Sequence, residues 1–93
     1  MKRSARRTRL KRLYGITPEQ FDKMMQAQGG VCAVCGKPPK TLRLNIDHDH
    51  VSKKVRGLLC FFCNKKIVGR HHDGKLLRRA ADYLDRDFDG RLL

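Results

Sequence analysis

Between residues 17 and 28 the apolar positions fall at helical spacing, with Phe21, Met24 and Met25 on one stripe that Gln28 continues. Thr17 is a good N-cap, Pro18 suits the first helical position, and Gln20 completes a capping box. Gly29-Gly30 ends the run. A phenylalanine and methionine stripe of this kind reads as core packing. From Leu42 to His50 the period changes to two: Leu42, Leu44 and Ile46 lie on one face, and Arg43, Asn45 and Asp47 on the other. Ser52, Lys53 and Lys54 form a polar turn, and Val55 to Leu59 return as a second strand. Gly57 inside that strand marks a bulge or a close backbone approach. A helix is predicted to start near Asn64, and Gly69 to Gly74 form a loop. Leu76, Leu77, Ala80, Ala81 and Leu84 then define an amphipathic last helix, with Arg78, Arg79, Asp82 and Asp85 on its other face. The pattern is α+β.

The chain has 93 residues, enough for one domain with a marginal apolar core, a size at which small folds usually add a metal or disulfides. Its 22 Lys+Arg against 9 Asp+Glu give a net charge of +13. Basic surface gains binding free energy by releasing counterions from phosphates, so a polyanion, nucleic acid first, is the expected partner. Residues 1–14 carry Lys2, Arg3, Arg6, Arg7, Arg9, Lys11 and Arg12 and no acid, hence +7, which leaves +6 (13 − 7) for the other residues. So dense a run of like charge predicts a flexible arm, disordered or weakly helical when free. No apolar run approaches the roughly 20 residues that span a bilayer, and no signal core follows the basic start. The expected setting is therefore a reducing cytoplasm, with no membrane partner.

In such a compartment paired Cys-x2-Cys motifs read as metal ligands rather than disulfides. Cys32-Ala33-Val34-Cys35 and Cys60-Phe61-Phe62-Cys63 are two such motifs, separated by 24 residues that hold the whole predicted hairpin. Four thiolates match a closed tetrahedral zinc site, which leaves no open position for water and so fits a structural metal. Two disulfides or an iron–sulfur cluster are the weaker alternatives.

Inside the cysteine loop lies Asp47-His48-Asp49-His50. Consecutive polar residues at the end of an apolar strand are costly if buried, and a solvent-facing strand end is the plain explanation. The chemical one sets a carboxylate and an imidazole against a phosphate. A hard divalent cation takes oxygen ligands; Asp47 offers a carboxylate oxygen and Asn64, directly after the last cysteine, an amide oxygen. His48 can accept a proton from water near neutral pH. In a regular strand Asp47 and His48 point to opposite faces, so both can serve one phosphate only where the strand bends or bulges. His50 shares the His48 face and is a second candidate. His71 and His72, in the basic loop, read as surface or phosphate contacts.

These motifs carry a resemblance. Tyr14-Gly15-Ile16-Thr17, Gly30 through Gly36, Asp47-His48-Asp49-His50, and Val55-Arg56-Gly57-Leu58-Leu59-Cys60 through Cys63-Asn64 resemble the phage endonuclease VII-like branch of the HNH (His-Me finger) nucleases, over residues 14–84. The resemblance implies a zinc-stapled ββα-metal fold with flanking helices, a catalytic cation (Mg²⁺ or Mn²⁺) on Asp47 and Asn64, His48 as general base, and structural zinc on Cys32, Cys35, Cys60 and Cys63. Branched-DNA resolvases of that branch carry an acidic residue shortly after the asparagine, where this chain has Lys65, Lys66 and Ile67. They also carry a long C-terminal dimerisation helix that is missing here. A nicking enzyme is therefore expected rather than a Holliday-junction resolvase.

The domain reading is a basic arm over 1–14, a nuclease domain over 15–87 and a short tail over 88–93. Expected phosphate contacts, by charge and position, are Arg3, Arg6, Arg7, Arg9, Arg12, Arg56, Lys65, Lys66 and Arg70. The expected partner is DNA, duplex or branched, with phage packaging or recombination proteins as further candidates and a monomer or weak dimer as the working form. The rival class is a non-enzymatic zinc-knuckle module that binds nucleic acid, and an RNase with the same site is a third reading.

Overall fold

The computed structural model describes residues 2–40 and 43–86, with side chains from Ala5 onward. Its elements are α1 (Lys2–Tyr14), α2 (Pro18–Ala27), β1 (Asn45–His48), β2 (Val55–Leu59), a π-helical turn (Cys63–Ile67), a 3-10 turn (Val68–Arg70) and α3 (Lys75–Asp85). Leu42 of the expected first strand, the side chain of Arg3 and the tail over 88–93 lie outside the described residues. No helix among the described residues is long and apolar enough to cross a membrane.

The basic arm, expected to be disordered or weakly helical when free, takes the form of helix α1 over Lys2–Tyr14, and its few apolar residues have somewhere to go. Leu10 is 8% exposed. Arg6 sets its guanidinium 5.3 Å from the centre of the Phe21 ring, and Arg7 pairs with Glu19 at 2.8 Å on the surface. That guanidinium holds the Glu19 carboxyl below its ordinary range. These contacts tie α1 to α2 and offset the repulsion that composition alone would predict.

α2 starts as its sequence dictates. The Thr17 hydroxyl accepts the Gln20 N–H at 3.2 Å, and the Gln20 amide oxygen accepts the Thr17 N–H at 2.8 Å, satisfying two donors that the first turn leaves free. It ends at Gln28, after which Gly29 and Gly30 take positive φ values of 68° and 76°, a region open to glycine at no steric cost.

β1 and β2 pair antiparallel, Asn45 with Leu59, Ile46 with Leu58 and Asp47 with Gly57. The register then slips, and His48 pairs with Val55, leaving Arg56 as the bulged residue. The outer edge of β2 is not left bare. The Gln28 amide oxygen accepts the Leu58 N–H at 2.9 Å while its nitrogen donates to the Leu58 carbonyl at 2.9 Å, so one side chain stands in for a third strand. The Ala33 N–H adds a bond to the same carbonyl. A Cβ added at Gly57 would meet Gln28 and Ala33 at ordinary contact distance.

The core is Phe21, Leu44, Leu58 and Leu59 with the thiols of Cys32 and Cys63, and Ile16, Met24, Met25, Ile46, Ile67 and Val68 pack against it. α3 forms where predicted but buries none of its residues. Leu76, Tyr83 and Leu84 on it are exposed.

Candidate active site and metal centre

The two knuckles converge as their spacing predicts. Cys32, Cys35, Cys60 and Cys63 bring their sulfur atoms within 4.8 Å of one another, and the Cys35 and Cys60 sulfurs are 3.9 Å apart. Four ligands at ~2.3 Å from a tetrahedral zinc stand about 3.8 Å from each other, so the cluster fits a metal of that kind. The backbone supports negative sulfur: the Val34 and Cys35 N–H groups point at Cys32 at 3.4 and 3.5 Å, and the Cys63 N–H points at Cys60 at 3.4 Å. Burial pushes the Cys32 thiol up, but these backbone donors outweigh it and bring it down to about 6. Burial, reinforced by hydrogen bonds with the neighbouring cysteines, pushes Cys63 up to about 12. Four clustered thiols cannot all ionise unaided, and a bound cation supplies the missing charge. Its structural consequence is that residue 35 is held to residue 60, closing the hairpin at its base.

The second cluster lies at the far end of β1. Asp47, His48, His50 and Asn64 line one pocket of about 240 Å³, together with Tyr14, Ile46, Lys65 and Gly69. The register slip falls between Asp47 and His48, where the alternation of a regular strand would have sent these side chains apart. The His48 ring lies 5.3 Å from His50 and 5.8 Å from Tyr14, centre to centre. Asp47 is 7% exposed, because Arg56 covers it. The Arg56 Nε donates to one carboxylate oxygen at 2.9 Å and its Nη2 to the other at 3.1 Å. The carboxylate in turn raises the Arg56 guanidinium above its ordinary value. Asp49 is not part of the pocket lining. Its carboxylate accepts the Val51 and Ser52 N–H groups at 2.8 Å each, which lowers its pKa and builds the hairpin turn.

Asn64 reaches the pocket through the π-helical turn that follows Cys63, so the metal clamp and the pocket share one short segment. Gly69 closes it from the 3-10 turn, and a Cβ there would overlap the Asn64 carbonyl oxygen.

Of the residues expected to contact phosphate, Lys65 lines the pocket, and Arg6 and Arg9 line a groove of about 490 Å³ between α1 and β1 that also touches Asn64 and Lys65. Arg56 is engaged with Asp47, and Arg7 with Glu19. Arg12, Lys66 and Arg70 are exposed and line none of these recesses. Sequence reasoning missed Tyr14 and Gly69 as pocket residues. The signal for Tyr14 was present: Leu10, Leu13 and Tyr14 recur at helical spacing within the basic arm. Gly69 had none, because its approach to Asn64 is a matter of backbone geometry.

Fold and site together define a small α+β protein built on a four-cysteine clamp, with a carboxylate, two imidazoles and an amide in one pocket. Residues 7–86 match the recombination endonuclease VII family, and the chain belongs to it. Among curated proteins it is similar to the Gene 59 protein of Mycobacterium phage D29, 47% identical over 79 residues that cover 83% of this chain and 48% of that protein. The Gene 59 protein of Mycobacterium phage L5 is 42% identical over 79 residues, with the same coverage of 83% and 48%. The chain thus spans about half the length of the curated relatives it matches. No solved structure matches it.

Proposed function

We propose that this chain is a metal-dependent endonuclease that hydrolyses DNA phosphodiester bonds, a nicking enzyme of the HNH (His-Me finger) type acting in the host cell of a phage. The observation that carries the reading is the meeting of Asp47, His48, His50 and Asn64 in one pocket, in a chain whose family is one of endonucleases. In this reading β1, β2 and the helical stretch from Cys63 form the ββα-metal unit.

The donor set suits a hard divalent cation such as Mg²⁺ or Mn²⁺: one carboxylate and one amide oxygen, with room left for water. Asp47 and Asn64 would hold it. When bound, such a cation supplies positive charge that stabilises the phosphate oxygens as negative charge develops. The Arg56 fork takes one lone pair from each Asp47 oxygen and leaves others free, so it orients the carboxylate without exhausting it. His48 takes the proton from the attacking water, which leaves a 5′ phosphate and a 3′ hydroxyl. His50, whose ring lies beside that of His48, orients it or contacts phosphate. Lys65 at the pocket rim attracts the phosphodiester.

The test is nicking of supercoiled plasmid with and without added Mg²⁺. His48→Ala should keep zinc, fold and DNA binding and lose about 10²–10⁴-fold in rate. Near-normal nicking by that variant would sink the assignment, and a dead His50→Ala beside it would exchange the two roles.

A further inference from the structure

The knuckle that completes the metal clamp carries two aromatic side chains the clamp does not need. Phe61 and Phe62 are 66% and 60% exposed, on a chain with few large rings to spare for its core. Their surroundings explain what they offer. Phe61 and Arg43 line both the groove along α1 and a neighbouring recess of about 470 Å³ that continues past Phe62 to Pro38 and Pro39. Asn64 and Lys65 line both that groove and the candidate active-site pocket. The three depressions are thus neighbours in a row linked by shared lining residues, a trough in that sense, with Asp47 and His48 lining the first and Phe62 the last.

The trough is cationic along its length. Lys37, Lys40 and Arg43 flank the aromatic end, and Arg9 and Lys65 flank the approach to the pocket. Asp47 is the one acid among its described lining residues.

We infer that this trough binds an unpaired nucleic-acid strand, its bases stacked on Phe61 and Phe62 and its phosphates along Lys37, Lys40 and Arg43. A base face is free to stack on a protein ring only where the base has left its own stack, whereas every base has such a face, so aromatic rings between cations select single strands with little regard to sequence. A second copy of this chain is the poorer occupant, since each copy carries a net charge of +13 and would bring like charge to the trough. The inference rests on the nuclease reading for what happens at the far end. It adds the substrate class: DNA with an unpaired stretch beside the bond that is cut.

The chain has no Trp, so Phe61→Trp places a single indole in the trough, and excitation at the red edge of its absorption leaves Tyr14 and Tyr83 silent. Zinc-loaded full-length protein, without added Mg²⁺, is titrated with oligothymidylate and with a blunt duplex of equal nucleotide count. Stacking predicts that oligothymidylate quenches the Phe61→Trp fluorescence and the duplex much less. The Phe61→Ala/Phe62→Ala protein should bind oligothymidylate about tenfold or more weakly than wild type, the usual effect of removing a stacking ring, and bind the duplex within about threefold. Equal losses for both ligands, or an absence of quenching, overturn the proposal. So does a wild-type dimer that becomes a monomer on loss of the two rings. If the double variant fails to keep its zinc and circular dichroism, the fluorescence of the single Trp variant decides. Wild-type nicking is scored separately. A protein that stacks the strand but never nicks would refute the nuclease reading and leave the trough standing, and one that nicks without quenching would do the reverse.

Discussion

Gly69 offers the most local test of how the fold positions the candidate site. Its φ lies outside the left-handed region, so nothing in its own conformation demands glycine. The demand comes from a neighbour: a Cβ at this position would overlap the carbonyl oxygen of Asn64, which also accepts the Val68 N–H at the end of the π-helical turn. In Gly69→Ala the backbone must give by about 1 Å to reach ordinary contact. Both sides of that contact are main chain, and no side chain can swing away to absorb it. Overpacking of this kind costs about 1–3 kcal/mol, and for a domain of this size each kcal/mol lowers the melting temperature by roughly 4–8 °C. The displaced segment carries Asn64, a proposed cation ligand. A misplacement of about 1 Å in a catalytic group can cost 10²-fold in rate. The assay is plasmid nicking at saturating Mg²⁺ alongside thermal melting and zinc content. Gly74→Ala is the internal control, since its Cβ would meet only the guanidinium of Arg78, which can move, and it should stay within about 0.5 kcal/mol of wild type. Wild-type nicking and an unchanged melting temperature in Gly69→Ala would refute the reasoning.

Further outcomes follow from other parts of the fold. Cys60→Ser should leave a largely unfolded chain, because structural zinc contributes roughly 10–16 kcal/mol in small metal-dependent folds; native circular dichroism without bound zinc would contradict this. Zinc affinity should also depend on pH. Cys63, held near 12 by burial and hydrogen bonds with the neighbouring cysteines, keeps its proton in the free site at neutral pH and must release it on binding, whereas Cys32, near 6, is already ionised. Affinity should therefore rise at least about tenfold per pH unit from pH 7 to 9, and a flat profile in chelator competition would exclude the mechanism. Gln28→Ala removes the side-chain partner of both Leu58 backbone groups and strands a buried N–H, at a cost of about 1–3 kcal/mol in denaturant melts. Arg56→Lys keeps the charge but loses the two-pronged hold on Asp47; activity and Mn²⁺ affinity should fall about 10–100-fold with little change in melting temperature, and unaltered Mn²⁺ affinity would show that the fork does not orient the carboxylate.

What the sequence disclosed follows the range of the forces involved. The capping box at Thr17 and Gln20, the hairpin and the cysteine clamp rest on contacts between near neighbours or on spacing characteristic of a metal site, and each could be read directly. The difficulty at Asp47 and His48 could be read too, since two adjacent residues in a regular strand face opposite ways. Its resolution could not, because the slip is made across the sheet, where Arg56 is squeezed out between partners of His48 and Asp47. The same bulged arginine then turns back onto Asp47, so a residue that composition offers as a free cation is already paired with a carboxylate.

In the arm, short-range and long-range forces compete. Residues 1–14 carry seven cations, yet Leu10 and the ring beneath Arg6 hold α1 against α2, because burying a leucine side chain is worth about 1.5–3 kcal/mol and exposed charge repulsion is screened over about 8–10 Å of salt solution. Once docked, α1 ceases to be a diffuse cloud of charge. Arg7 is spent on Glu19 and Arg6 lies on Phe21, while Arg9 is left facing the groove that leads to Asn64. In the proposed reading, a wall that carries Arg9 would guide a phosphate backbone toward the pocket in a way that a free tail of larger charge would not. On that reading the docked helix offers the partner fewer cations than composition suggests and fixes the place where those that remain can act.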